Sequence, residues 1–326
     1  MMEPLEDAAL CFPQFNTSCR KWSRPQTEAL LIFSLQSAVA LLTGVLNLLV
    51  IVSVSHFRQL HTSTNLLVLS LAVADFLVGS LQMPIEIILS QGCWLLSDFL
   101  CSVNFFLSYF LVSVSVGNLV LISVDRYVAV CEPMFYSTKV TVGRVQLCVC
   151  LCWLFSAVHS SWILRDFIQQ QHSYDFCYGE QIVTITYAQV AVDFMVTFLG
   201  PFVVISCLYV RVFVVAVSQA RAVRSHLAAL RRSEAVKPKK SELKAARTLG
   251  VVVLVFLLCS APYYFSSVSA EKSSTEATST VIWLLYSNSC LNPVIYTFFY
   301  SWFRKAIKHI FTLQILQSES REAKLL

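Results

Sequence analysis

Seven apolar runs separated by polar stretches set the frame of this 326-residue chain. They fall at roughly 29–55, 65–90, 98–130, 147–164, 182–215, 249–269 and 278–300, and at ~1.5 Å per residue each can span a bilayer as a helix. The third run carries no charged side chain between Cys101 and Val124 and then ends on Asp125-Arg126-Tyr127. An odd number of spans puts the two ends of the chain on opposite sides. Past the last run, Trp302, Phe303, Ile307 and Ile310 interleave with Arg304, Lys305 and Lys308 over Ser301 to Leu313. That pattern predicts a short amphipathic helix on the inner leaflet, its basic face toward anionic lipid. The expected fold class is an all-α membrane protein, a seven-transmembrane helix bundle with a short amphipathic eighth helix. Residues 1–28 form an outer tail, 29–300 the transmembrane domain, and 301–326 the eighth helix and cytoplasmic tail.

Composition strengthens this reading. Hydrophobic residues make up 56% of the chain and charged residues 13%, about half the charged share of a soluble domain. The net charge of +5 matters less than its placement. Arg221, Arg224, Arg231, Arg232, Lys237, Lys239, Lys240, Lys244 and Arg247 crowd into 218–247, and Arg58, Lys139, Arg144, Arg304, Lys305 and Lys308 flank spans on the same side. The positive-inside rule then puts the N-terminus outside and the C-terminus in the cytoplasm of a plasma-membrane protein. Asn16-Thr17-Ser18, a glycosylation sequon, falls in the outer tail. The acidic first residues lack a basic n-region, so the first span is expected to act as the insertion signal. The basic residues border membrane spans, which implies lipid and no nucleic acid as partner.

Ionisable groups inside a membrane are costly and point to function. Asp75 sits among apolar residues of the second run. With Asn47, Ser115, Asn288, Ser289 and Asn292 it forms either a water-filled polar cluster or a plain hydrogen-bonded packing network. Asp193 lies eight residues before Pro201, about 12 Å outward along the fifth helix. An isolated carboxylate there needs a cationic partner or becomes protonated. A ligand ammonium supplies that partner through a charge-assisted bond; the bland reading is a neutral acid or a bond to a tyrosine. Glu86, just after Pro84, is either a solvated vestibule group or a second ammonium site for a diamine. Aromatic residues in these runs, among them Tyr109, Phe194, Tyr263, Tyr264, Trp283 and Tyr286, either attract a cation with their faces or serve as core. No nucleophile–base motif or intramembrane His/Glu metal pair points to an enzyme, and no cofactor is expected.

Further marks fall in order along the spans: Asn47, Asp75 in Leu71-Ala72-Val73-Ala74-Asp75, Asp125-Arg126-Tyr127, Trp153, Pro201, Pro262 and Asn292-Pro293-Val294-Ile295-Tyr296. Together they resemble the rhodopsin-like (class A) G-protein-coupled receptors over nearly the whole chain. Asn288 to Phe303, with Cys93-Trp94 shortly before Cys101, resembles the trace amine-associated receptors, in their fish olfactory branch.

The resemblance implies an amine or diamine ligand, in a pocket walled by Ser108, Tyr109, Val112, Phe194, Thr197, Tyr263, Tyr264, Trp283 and Tyr286, and a heterotrimeric G protein of the stimulatory type that raises cyclic AMP. It implies a sodium ion, as allosteric modulator, at Asp75, Ser115, Asn288, Ser289 and Asn292. It implies that Arg126, held by Asp125 beside Tyr127, is released on activation as Tyr296 moves in, with Pro262 and Pro293 permitting the helix movements. It implies a Cys101–Cys177 bridge and a Cys19–Cys93 bridge, which leaves Cys11 over. Two positions depart from the family. Where aminergic receptors carry the ammonium-binding aspartate, seventeen residues before Asp125, this chain has Ser108, whereas some fish receptors carry an acid at the position of Asp193. Where the family has a tryptophan on the sixth helix stands Ser260, which throws more of the trigger onto Phe256. The expectation is an olfactory-type amine receptor with Asp193 as main counter-ion. The alternative is a non-amine class A receptor with a structural Asp193. A transporter is the remote reading, disfavoured because no inverted repeat appears.

Overall fold

The computed structural model describes residues 11, 14, 25–89, 98–170, 185–229, 240–268, 275–299, 301–317, 320–323 and 325. All regular structure among the described residues is helical. The first helix is Gln26–His56. The second runs Ser63–Leu77, passes a π-type turn at Val78–Gln82 and continues as Met83–Leu89. The third is Asp98–Cys131, followed by a short helix Pro133–Lys139. The fourth is Val142–Ile163, with a small extension Arg165–Gln170. The fifth starts as Tyr187–Asp193, turns through a second π-type segment Phe194–Leu199 and resumes as Gly200–Ala229. The sixth is Lys240–Val268, the seventh Thr275–Phe299 and the eighth Ser301–Phe311.

Five of the helices are long and apolar enough, by length and composition, to cross a membrane, among the described residues. The sixth adds a shorter apolar stretch, Val253–Ser267, and the seventh carries Ser287, Asn288, Ser289 and Asn292 along its length. Of these, Asn288, Ser289 and Asn292 are buried. In the first helix Thr43, Asn47 and Ser53 are buried while Leu41, Leu42 and Leu48 are exposed. In the fourth, Ser156, His159 and Ser160 are buried while Leu147, Leu151, Leu154 and Phe155 face out. A bundle with an apolar outside and a hydrogen-bonding inside is built for lipid, where small and polar residues join the helices. The third helix packs on the second, fourth and fifth and touches the sixth, so it is the axis of the bundle.

Both π-type turns stand just before a proline. Pro84 and Pro201 lack the N–H that would bond four residues back, and the chain absorbs the conflict as one extra residue per turn. The N–H of Met83 reaches Val78 O, and that of Gly200 reaches Met195 O, each five residues back. One inserted residue turns everything outward of it by roughly 100°, which sets the direction of Asp193. At the first of these turns Gly79 lies against the first helix. A Cβ added there would stand 2.7 Å from Gly44 N and 2.8 Å from Thr43 Cβ.

Past the seventh helix, the eighth helix buries Trp302, Phe303 and Ala306 and exposes Arg304, Lys305 and Lys308. The tail beyond it folds back under the first helix. His56 Nε2 lies 2.9 Å from Ser320 Oγ, the Leu325 N–H donates to Gln59 Oε1 at 3.1 Å, and Leu325 is fully buried.

Candidate functional site

Three polar stations lie along the bundle axis. The outermost surrounds Asp193, which is 8% exposed. A capping box at Thr186 and Gln189 starts the fifth helix, and the π-type turn then points Asp193 at a cavity of about 90 Å³. Tyr109 from the third helix, Phe194 from the fifth, and Tyr263, Tyr264 and Ser267 from the sixth share its wall, with Ile163, Ile185 and Val190. The Tyr109 and Tyr263 hydroxyls are hydrogen-bonded to each other.

The hydroxyl of Thr197 decides how well Asp193 is satisfied. It accepts from Tyr264 Oη at 2.7 Å, and it lies 2.6 Å from the Asp193 carbonyl oxygen and 3.2 Å from Asp193 Oδ1. A threonine has one proton, and the shorter, backbone contact claims it. The carboxylate is thus buried with an incomplete set of donors. Its other polar neighbour is His159 of the fourth helix, with Nε2 3.7 Å from Oδ1. From this corner a run of aromatic rings descends: Tyr264 stacks on Phe198 with centroids 4.9 Å apart, and Phe198 lies 6.4 Å from Phe256.

Across the bundle a second group forms. Ser108 Oγ lies 2.6 Å from Tyr286 Oη. Tyr286 also bonds Gln82, whose amide donates to Asn104 Oδ1 at 2.9 Å and Glu86 Oε1 at 3.1 Å. Trp283 and Val112 pack beside Tyr286.

The middle station is Asp75, fully buried. It accepts from Ser115 Oγ at 3.1 Å, from Asn292 Nδ2 at 2.8 Å, and from Ser289. Asn47 Nδ2 donates to Ser289 O at 3.0 Å. The side-chain carbonyl oxygens of Asn47, Asn288 and Asn292 are buried without a hydrogen-bond partner. One carboxylate with spare amide and hydroxyl oxygens is the donor chemistry of a small hard cation, so the residues present fit sodium.

At the opposite end of the bundle from Asp193, Arg126 pairs with Asp125 and also reaches Thr64. Asp125 is 4% exposed and takes two more hydrogen bonds, from Thr64 Oγ1 at 3.0 Å and Tyr136 Oη at 2.9 Å. Tyr136 belongs to the short helix after the third, and burial holds its phenol above its ordinary range, so it remains a donor. Tyr127 packs beside Val130 and Val212, and Tyr296 is buried in the main core near the inner end of the seventh helix.

A buried acid in a small aromatic cavity, a buried polar cluster and an arginine latch in one seven-helix bundle have known counterparts. Residues 46–296 match the model of the 7 transmembrane receptor (rhodopsin family). The chain belongs to that family. This receptor is 33% identical to "Trace amine-associated receptor 13c" of Danio rerio, over 98% of its own length and 97% of the relative's. It is 34% identical to "Trace amine-associated receptor 1" of Mus musculus, over 97% and 99% of the two chains. With "Trace amine-associated receptor 7a" of Rattus norvegicus it shares 36%, over 95% and 90%. Its relatives are receptors, not enzymes.

Of the pocket residues read from sequence, Asp193, Tyr109, Phe194, Tyr263 and Tyr264 share one cavity wall, and Thr197 sits directly beneath Asp193. Ser108, Tyr286, Trp283, Val112 and Glu86 are not in that wall. Ser260 is fully buried with its hydroxyl unpartnered, and Phe256, one turn below, joins the aromatic run from the pocket. Pro262 and Pro293 lie inside their helices. Asn16, Cys19, Cys93 and Cys177 lie outside the described residues. Cys101 is buried near the start of the third helix. The expectation that Cys11 is left over is corrected: Cys11 is disulfide-bonded. Two thiols in an oxidising exterior are seldom matched from spacing alone, because sequence does not fix connectivity.

Sequence reasoning missed His159, Tyr136 and Thr64. His159 reads as one polar residue in an apolar span, and nothing in the chain shows that it faces the fifth helix. Tyr136 stands eleven residues past Asp125, between the third and fourth apolar runs, and nothing in the pattern shows that it turns back onto that carboxylate.

Proposed function

We propose that this receptor binds an amine from outside the plasma membrane and, through its seven-helix bundle, activates a stimulatory G protein that raises cyclic AMP. The observation that carries the reading is Asp193: a buried, underbonded carboxylate in an aromatic cavity. An ammonium entering that cavity meets the acid on one side and the faces of Tyr109, Phe194, Tyr263 and Tyr264 on the others. The names of the relatives, trace amine-associated receptors, agree with this ligand class. Ser108 bonds Tyr286 and carries no charge, so the ammonium is held from the fifth helix and the apolar part of the ligand extends toward the third and seventh. Glu86, on the far side, is available to a second ammonium of a longer diamine.

Binding shifts a pre-existing equilibrium, favouring the state whose sixth helix has swung outward at Pro262. The contacts that differ between the two states begin at Tyr264 and pass through Phe198 to Phe256. At the inner end the same shift frees Arg126 from Asp125 and Thr64, and Tyr296 takes up the space beside it. A sodium ion held by Asp75, Ser115, Ser289, Asn288 and Asn292 would favour the resting state, because the cluster closes as the helices rearrange. The N-terminus lies outside and the basic 218–247 segment inside, against the G protein and the anionic leaflet.

A class A receptor with a structural Asp193 is the competing reading, and the contact of Thr197 with the backbone of Asp193 is what favours it. The test is a cyclic-AMP reporter in cells expressing the receptor, screened with primary amines, diamines and their neutral alcohol isosteres, then repeated with Asp193→Asn. Amines should act and alcohols fail, and Asp193→Asn should abolish the amine response at unchanged surface expression. Equal responses to alcohols, or a normal Asp193→Asn response, would overturn the counter-ion role.

A further inference from the structure

Beside the outer pocket stands a second unsatisfied titratable group, His159. Its side chain is buried, neither ring nitrogen has a hydrogen-bond partner, and one face stacks on Phe155. A buried imidazole without a partner is costly, as is a buried carboxylate short of donors. The two stand next to each other, with His159 Nε2 3.7 Å from Asp193 Oδ1. His159 is not part of the cavity wall, whereas Asp193 is. The histidine therefore backs the carboxylate from the side away from the cavity.

We propose that His159 is the resident counter-group of Asp193: without ligand the pair holds one proton between imidazole and carboxylate, and an ammonium binds by displacing it. This rests on the amine reading above and adds a positioning residue to it. The exchange balances as imidazolium–carboxylate plus alkylammonium giving neutral imidazole, carboxylate–alkylammonium and one proton released to water. The carboxylate cannot hold two cations at short range without their mutual repulsion, so the weaker-held proton leaves. No other described group competes for that role. Tyr109 from the third helix and Tyr263 and Tyr264 from the sixth face Asp193 with neutral phenols. Thr197 faces it from the fifth helix and does not titrate. The nearest charged pair on the fourth helix is Arg165 with Asp166, and Asp166 is also bonded by Gln189.

The consequence is that protons and amines compete. Amine affinity falls as pH falls, and the pH of half-maximal loss is set by the pair, not by Asp193 alone. Removing the imidazole leaves the carboxylate alone to hold the proton, so the pair's proton affinity falls and the loss moves to lower pH. The experiment uses the full receptor in lipid nanodiscs and a panel of primary alkylamines plus 2-phenylethylamine, with binding measured from about pH 5.5 to about 8.5. Wild type, His159→Asn, His159→Gln and Asp193→Asn are compared, each checked for thermal unfolding.

The expected result is that both His159 variants bind the amines within about threefold of wild type at the alkaline end, with the midpoint displaced to acid by about half a pH unit or more. An unmoved midpoint overturns the proposal, whether affinity is unchanged or uniformly lowered, since a uniform loss is what a merely structural histidine gives. Amine binding that survives Asp193→Asn, or no amine binding by wild type, overturns the amine reading itself. Loss of binding in Asp193→Asn with unmoved His159 profiles overturns only the role of His159.

Discussion

Ser108 and Tyr286 meet across 2.6 Å between the third and seventh helices, hydroxyl to hydroxyl. The third helix therefore presents a neutral hydrogen-bonded pair to the seventh at this level of the bundle. The pair is linked on through Gln82 to Glu86. The acids in this half of the bundle, Asp193 and Glu86, lie on the fifth and second helices, with the third helix packed between the others as the axis.

This relationship makes Ser108→Asp informative. Tyr286 is placed to donate to a new carboxylate, and a charge-assisted bond is about twice as strong as a neutral one. In an Asp193→Asn background, which we expect to be silent, Ser108→Asp should restore an amine response to within about tenfold of wild-type potency. The cyclic-AMP reporter measures it directly. A double variant that reaches the surface but stays silent would mean that the Ser108 side of the pocket is closed to the ammonium.

At the other end, Asp125 holds Arg126 with the help of Tyr136 and Thr64. Tyr136→Phe removes one donor from a buried carboxylate, worth about 1 kcal/mol, and that loss falls on the resting state alone if Arg126 leaves Asp125 on activation. Ligand-independent cyclic AMP should rise by about fivefold per receptor at the surface. Thr64→Ala should act in the same direction, since Thr64 contacts both Asp125 and Arg126. Unchanged or lowered basal signalling in both variants would show that the latch does not hold the resting state.

The Asp75 cluster gives a third test. With sodium replaced by a bulky organic cation in the medium, agonist potency of the wild type should improve by about three- to tenfold, the size of a typical allosteric coupling. Asp75→Asn keeps the hydrogen-bonding size of the side chain but removes the carboxylate, so its potency should be indifferent to sodium. If wild type is equally indifferent, the spare oxygens of Asn47, Asn288 and Asn292 serve helix packing only.

What could be read from the chain follows the physics of each feature. Lipid makes apolar runs long and unbroken, so the bundle, its order and the inward Asp75 and Asp125 stood out without coordinates. Asp193 also stood out, because a carboxylate in an apolar run has few innocent explanations. Its surroundings did not. The two π-type turns each insert a residue, and a helix rotated by roughly 100° presents a different face than regular periodicity indicates. That is why the directions of Asp193 and Glu86, each outward of such a turn, are not legible in the chain, and the two line no common wall. His159 and Tyr136 act across helices, at sequence separations of 34 and 11 from their carboxylates, and pairings of that kind are tertiary facts.

The first π-type turn also yields a prediction about stability. At Gly79 a Cβ would press on the backbone nitrogen of Gly44 at 2.7 Å and on Thr43 Cβ at 2.8 Å, so the second helix has no room to accept it without moving off the first. Backbone cannot yield as a flexible side-chain end would, and overpacking of this kind costs about 1–3 kcal/mol. Gly79→Ala should therefore lower the unfolding temperature of the purified receptor and reduce its surface level. Gly44 is the control, because a Cβ there meets nothing within 4 Å. Gly44→Ala should be neutral or stabilising by up to about 1 kcal/mol, since alanine loses less backbone freedom than glycine in a helix. The two glycines sit on facing helices at the same contact, so a generic intolerance of substitution would depress both variants alike. Only a close approach confined to Gly79 separates them, and thermal melts of the two single variants in the same detergent read out the difference.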